Sequence, residues 1–333
     1  MPSDSALPHT TVPKPRLSQQ TKRLTLLALL AVFAVGLFLT LGVPSGAWEF
    51  ALSFRAGKLA GLILVAFAIA ASTQLFHAAT RNQILTPAIM GFDALYMMIQ
   101  TLLVFGLGSM AMLDIDPMTK FAAETFVMMA FSTGLFLWLF TAKSRDLHLL
   151  VLVGIIFGTL FRSLSNFIAR MIDPNEFVVV QGAMFARFNS VNIDLLWVAI
   201  ALTALTLPVL WHMRHQFDVL ALGRETAIGL GLHYRRVMLS AFAIIGLLVS
   251  VSTALVGPVT FFGLLVVHLA YRLLPGARFA PTLLASSLVA IVTLVGGQAI
   301  YEHVLGLQGT LSVVIDALGG ITFLYLLLKG VRR

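Results

Sequence analysis

Residues 236–276 read RVMLSAFAIIGLLVSVSTALVGPVTFFGLLVVHLAYRLLPG. After Arg236 the chain runs to Val256 without a charge, about the 20 apolar residues that cross a hydrocarbon core of about 30 Å as a helix. Gly257-Pro258 then interrupts the pattern, because proline has no N–H to donate and disfavours helix in the residue before it. The apolar run that follows, 259–273, is short. It is either an eighth span or a half-helix buried in protein, since broken backbone at membrane depth is tolerated only where protein or a water-filled cavity satisfies it.

Working outward, the same texture covers most of the chain. Of 333 residues, 59% are hydrophobic and only 11% charged, against about 25% charged in ordinary globular proteins. Mean hydropathy is +0.96. The apolar runs predict an all-α polytopic membrane protein of about ten transmembrane helices, near 24–43, 58–76, 86–106, 121–141, 148–169, 193–212, 236–256, 259–273, 279–299 and 310–329. Residues 1–23 are polar and read as a cytoplasmic tail before a retained helix, not a cleaved signal peptide. Residues 24–333 read as one transmembrane domain.

Charge supports this topology. With the N-terminus inside, the inner connections carry sixteen Lys and Arg, the outer ones Arg55, Lys58, Lys120, Arg170 and Arg187, and Arg162 falls within a helix. The bias puts both termini in the cytoplasm. The net charge of +8 is therefore topological and does not point to nucleic acid. Two connections exceed a turn: 171–191 outside and 213–235 inside.

Several chemistries are excluded. The chain has no cysteine, so disulfides and thiolate metal sites are ruled out. No G-x-x-x-x-G-K-[ST] phosphate loop, H-E-x-x-H or G-x-S-x-G occurs. The eight histidines are scattered and read as structural or interfacial. No catalytic residues and no metal ligands are expected.

The inner segment 213–235 contains LALGRETAIGLGLHYRRV. It predicts a short helix bearing Glu225 and Ala227, with Gly229 and Gly231 permitting a sharp turn. Such a segment either docks into a cleft of a cytosolic partner or is a solvated loop whose arginines fix orientation.

This segment resembles the L-G-x-E-x-A-x-x-L-G coupling loop of the iron-chelate and vitamin B12 class of ABC importer permeases, with Leu222, Gly223, Glu225, Ala227, Leu230 and Gly231 at matching positions. The break VGPVTFFGLLVVHLAYRLLPG is similar to the family's G-P-[IV]-x-F-[VF]-G-L-[IL]-V-P-H-x-x-R. Gly257, Pro258, Phe261, Gly263, Leu264, Val266 and His268 match, Arg272 falls one place late, and Val267 stands where the family has proline. Gln74, Asn82, Pro87 and Gly91 match a third element, and LGGITFLYLLLKG resembles the family's ending. The likeness runs from about residue 46 to 330.

The resemblance implies a type II ABC importer permease-like bundle in a bacterial inner membrane. It further implies a second permease subunit (identical or homologous), a cytosolic ABC ATPase dimer that carries ATP and Mg, and an extracytoplasmic siderophore-binding protein. On this reading the chain is not itself an enzyme and binds no cofactor. It translocates a ferric siderophore by alternating access, and segment 213–235 transmits the ATPase motion. Vitamin B12 or haem is the alternative cargo within the family. An ion-coupled secondary transporter is the alternative outside it, and would call for titratable midplane residues and inverted repeats.

Individual polar residues carry further expectations. Arg55 and Lys58, which align with a basic element of the family, either dock the binding protein through its carboxylates or meet lipid headgroups. Asn82 falls at the turn between the second and third helices. Pro87 is expected in the first turn of the third helix, and Asp93 about two turns inside it. Charged groups at mid-membrane cost about 2.5–3.5 kcal/mol on insertion scales, so Asp93, Arg162 and Asp316 either face the pathway, pair with one another, or sit near an interface. Gly154 and Gly158 form a G-x-x-x-G that allows close packing.

Overall fold

A computed structural model describes residues 17–43, 46, 48–141, 147–189, 191–303 and 311–330. It is all-helical: α1 Leu17–Thr40, α2 Trp48–Thr80, a 3₁₀ turn Pro87–Met90, α3 Phe92–Asp114, α4 Pro117–Thr141, α5 Leu147–Ala169, α6 Pro174–Ala183, α7 Ile193–Ala204, α8 Thr206–Leu220, α9 Arg224–Gly229, α10 Tyr234–Val256, α11 Phe262–Leu273, α12 Phe279–His303 and α13 Leu311–Gly330. Among the described residues, eight helical stretches are long and apolar enough to cross a membrane, and two shorter apolar helices, α11 and the start of α13, accompany them. That agrees with the expected ten apolar segments. Lys14, Arg16, Lys143, Arg145, Arg332 and Arg333, counted in the charge argument, lie outside the described residues.

α2 is the central element. Leu62, Val65, Ala66, Ala68, Ala70, Ala71, Leu75 and Phe76 are fully buried along it, and its alanine-rich faces let α10, α11 and α12 pack closely around it. One part of the core joins α2 to α11 and α12 through Phe262, Val266, Val267 and Leu294. The other joins α2 to α4 and α10 through Phe76, Phe136, Phe242 and Leu248. The Phe136 and Phe242 rings stack at 4.2 Å between centroids.

Several boundaries differ from the sequence expectation. α1 begins at Leu17 and α2 covers 48–80, both longer than the apolar runs alone suggested. The helix expected at 193–212 reaches Leu220 but is split at Leu205. Pro208 explains the split, because it cannot donate to the carbonyl of residue 204 and its ring crowds that carbonyl. Within 171–191 the chain folds α6, whose N-cap Asp173 accepts from Asn175 N at 2.8 Å with Pro174 in the first turn.

The third helix is corrected most. It does not start at 86. Pro87 opens the 3₁₀ turn, Gly91 follows at φ 95°, and α3 begins at Phe92. Asp93 is thus in the first turn of α3, not two turns inside it. Close approach of this turn to the backbone of α5 accompanies the interruption. A Cβ on Gly91 would stand 2.9 Å from Gly158 Cα, and one on Gly154 would stand 3.1 Å from Met90 Cα. The G-x-x-x-G of α5 therefore receives the 3₁₀ turn, which is packing, as expected.

The second break lies between α10 and α11. Gly257 adopts φ 102°, ψ 176°, and the backbone regains helix only at Phe262. At 1.5 Å per residue the twelve residues of α11 extend about 18 Å, short of a bilayer core of about 30 Å. Phe262, Leu264, Val266, Val267 and Ala270 are fully buried. The half-helix reading of 259–273 is the one the structure bears out.

Candidate functional site

The two breaks meet. Thr260 Oγ1, in the α10–α11 break, donates to Asp93 Oδ2 at 2.7 Å. Phe261 N, beside it, donates to Asp316 Oδ1 on α13 at 3.2 Å. Close approach of α13 requires Gly319, where a Cβ would lie 2.6 Å from Phe261 Cβ. The Gly-Gly of the C-terminal motif thus sets the distance at which Asp316 reaches the broken backbone, and Thr260 supplies the buried partner that Asp93 lacked in the sequence.

Asp93 and Thr260 open onto a cavity of about 690 Å³, which Arg162 and Asn166 of α5 wall on the far side. α6 closes another side with Phe177 and Met184. Arg162 is exposed and lines this space, and Asp93 interacts electrostatically with both Arg162 and Asp316. Of the three residues expected to face a pathway, pair with one another or sit near an interface, Asp93 and Arg162 line the cavity and Asp316 holds the backbone of Phe261 at its rim. Sites for organic ligands are commonly about 300–1,000 Å³, mostly apolar with a few placed polar groups, and this cavity fits that pattern. Met97 lines it, whereas Met128 is core. Asn82 takes no part. Its Oδ1 accepts from Ile84 N at 2.9 Å and closes a local turn.

On the other face of the break, Arg81 adopts a left-handed backbone at φ 55°, and its guanidinium packs on Gly223. A Cβ there would meet Arg81 Nη1 at 2.7 Å, and Gly223 itself sits at φ 103°. Gly223 begins the segment expected to couple. α9 forms as foreseen, Ala227 is fully buried beneath it, and Gly231 turns the chain at φ 82°. Leu222, Ile228 and Leu230 are all more than half exposed around exposed Glu225. That is an apolar patch with a polar rim, the surface texture of a contact site.

Arg55 and Lys58 have partners within the chain. Arg55 Nη1 donates to the carbonyls of Phe38, Leu39 and Leu41 at 2.9, 3.2 and 2.7 Å, and so caps α1. Lys58 pairs with Glu302 of α12, and Gln298 Nε2 bridges Glu302 Oε1 at 2.8 Å and Asn189 Oδ1 at 2.7 Å. Sequence reasoning missed this network. It also missed Glu124, a carboxylate buried in α4 that accepts from Gln100 Nε2 at 2.6 Å with Lys120 Nζ at 3.9 Å. The Lys120–Glu124 spacing of four was the available signal. Outside the spans, Asp116 accepts from Thr119 N and Thr119 Oγ1 at 2.9 Å, and these bonds hold its carboxyl below the usual range.

Comparison with known proteins agrees with this architecture. The petrobactin import system permease protein YclO of Bacillus subtilis is 45% identical over 92% of this chain and 97% of its own length. The petrobactin import system permease protein FatC of Bacillus anthracis is 32% identical over 83% of this chain and 78% of its own. A solved structure of a metal-chelate type ABC transporter in an inward-facing conformation superposes with a TM-score of 0.77, at 20% identity, over 93% of this chain and 99% of that one. The fold is therefore that of a type II ABC importer permease. The profile of the FecCD transport family matches residues 22–329, and with the relatives above it shows that the chain belongs to the FecCD transport family.

Proposed function

We propose that the chain is the transmembrane permease subunit of an ATP-driven importer that carries a ferric siderophore of the petrobactin type across a bacterial inner membrane. The observation that carries this reading is the cavity of about 690 Å³ walled by both helix breaks. It is too wide for a bare ion and of the size that takes an organic chelate. The 45% identity to a petrobactin import permease supports the cargo class.

In this mechanism a cytosolic ABC ATPase dimer binds ATP and Mg and grips the patch of Leu222, Ile228 and Leu230 around α9, with Glu225 on its rim. Closure of the dimer moves α9, and the Arg81–Gly223 contact passes that motion to the backbone leading into the 3₁₀ turn. Asp93 and Asp316 sit where the two breaks meet and Arg162 lines the cavity beside them, so relative motion of α3, α5 and α13 opens the cavity to one side or the other. A second permease subunit completes the path. The siderophore-binding protein docks at the end bearing Arg55 and Lys58, where its carboxylates compete with Glu302 for Lys58. Both termini are cytoplasmic.

Uptake of labelled iron by a deletion strain carrying this chain, compared across catecholate, hydroxamate and mixed siderophores, tests the reading. Vanadate-sensitive uptake of one siderophore class is expected. Uptake that is insensitive to vanadate but collapses with the ion gradient would overturn it in favour of a secondary transporter.

A further inference from the structure

Asp93 borders two spaces. Besides the large cavity it lines a second, much smaller space of about 30 Å³, enough to admit a water-sized particle. It lies between the α2–α3 and α10–α11 breaks, and among its walls are Ser72, Thr86, Ser252, Thr260 and Asp93.

Three of the hydroxyls around this space have committed their protons. Ser72 Oγ donates to Ile69 O and Ser252 Oγ donates to Val249 O, each at 3.1 Å. Thr260 Oγ1 donates to Asp93 at 2.7 Å. Their lone pairs remain, and together with the Asp93 carboxylate they give the space a set of oxygen acceptors. Thr86 is 2% exposed, lines the space, and its Oγ1 makes no hydrogen bond. It is the N-cap of the 3₁₀ turn yet gives no side-chain cap.

A set of acceptors with one carboxylate selects its ligand. Among the described residues no lysine, arginine or histidine lines the space, so an anion has no counter-charge there. Oxygen is its only side-chain donor element, which disfavours transition metals that prefer imidazole or thiolate. A divalent hard cation in a protein site usually draws on several carboxylates, and only Asp93 is present. The C-terminal end of α10 abuts the space at Gly257, and the partial negative charge of a helix C-terminus favours a cation. Broken helices that face each other inside a membrane protein offer carbonyl and hydroxyl oxygens for this purpose.

We propose that the space between the two helix breaks is a binding site for one Na⁺ ion, held by the Asp93 carboxylate and the hydroxyl oxygens of Thr86, Ser72 and Ser252. The ion balances Asp93 and ties the 3₁₀ turn to the end of α10. The site belongs to this chain alone and does not depend on the cargo or on ATP.

The test uses the full-length chain purified in detergent. Thermal unfolding is followed in NaCl, KCl and choline chloride at equal ionic strength, with equilibrium binding of ²²Na⁺ measured in parallel. The expected result is a midpoint that rises with Na⁺ but not with K⁺ or choline, and saturable binding of one ²²Na⁺ per chain. Thr86→Val, which removes the unpartnered oxygen with little change in volume, should keep the wild-type midpoint in choline chloride and lose the Na⁺ shift. Should that variant unfold, Ser252→Ala serves in its place, again losing the Na⁺ shift while keeping the choline midpoint. Equal midpoints in all three salts with no saturable ²²Na⁺ would mean that the space holds only water, and overturns the proposal. A full Na⁺ response in the folded Thr86→Val protein overturns the location.

Discussion

Replacing Gly91 by alanine probes the contact on which the site is built. Gly91 sits at φ 95°, ψ 8°, and an L-residue held in a left-handed backbone costs about 1–2 kcal/mol. The added Cβ would stand 2.9 Å from both Cα and N of Gly158. Those are backbone atoms in a packed helix and cannot swing aside as a side-chain tip would, so overpacking adds about 1–3 kcal/mol. The sum is a destabilisation of roughly 2–5 kcal/mol. Relief would come from a shift of the first turn of α3, which stretches the 2.7 Å bond from Thr260 to Asp93. Denaturant unfolding of the purified protein in micelles measures the energy, and iron-siderophore uptake measures the consequence. Gly134→Ala is the control, because a Cβ there meets nothing within 4 Å. In a helix interior that change should be neutral or stabilise by up to about 1 kcal/mol. If Gly91→Ala falls within about 0.5 kcal/mol of Gly134→Ala, the backbone contact with α5 does not set the geometry of the break and the reasoning fails.

Three further outcomes follow from other contacts. Leu230→Asp puts a charge in the exposed apolar patch beside α9; insertion and thermal midpoint should stay near wild type while transport-stimulated ATP hydrolysis in the assembled importer falls at least tenfold, and normal turnover would remove α9 from the coupling path. Arg162→Gln leaves a shorter neutral amide in place of the only cation that lines the large cavity among the described residues; uptake should drop while stability changes by less than about 0.5 kcal/mol, as expected for an exposed position. Lys58→Met leaves Glu302 without its cation at a site where both side chains are largely buried, a loss of about 1–3 kcal/mol. Because the partner would no longer be stranded, Lys58→Met/Glu302→Gln should recover part of that loss in a double-mutant cycle.

The sequence made the helices legible because length and apolarity are local properties. Ten apolar runs, the break at Gly257-Pro258 and the short helix around Glu225 can all be read within a window of a few turns. The interruption before α3 was hidden for the same reason. Proline at 87 is what a helix start looks like, and only the backbone of α5, more than sixty residues away, turns the segment into a 3₁₀ turn. Partnerships were hidden too. Asp93 and Thr260 are 167 residues apart and Lys58 and Glu302 are 244 apart, so no periodicity links them. The charge count gave Arg55 and Lys58 an outward role, while in the folded chain they close the ends of α1 and α12. Asp93, Arg162 and Asp316 were found by a physical rule, that a charge in an apolar run must be placed somewhere. The same rule applied to Glu124 would have found it as well.

α2 joins distant parts of the molecule in a way that its burial alone does not convey. Lys58 lies about a third of the way along it and Arg81 directly follows its last residue. The 23 intervening steps make a rod of about 35 Å at 1.5 Å per residue. Such a rod transmits displacement with little loss, because its internal hydrogen bonds resist stretching far more than its flanks resist tilting. Pivoted at the Lys58 end, a tilt of about 10° sweeps the Arg81 end through about 6 Å, roughly one helical turn. On the function proposed above, the docking and coupling ends of the molecule share one lever, and a load applied at either end is felt at the other.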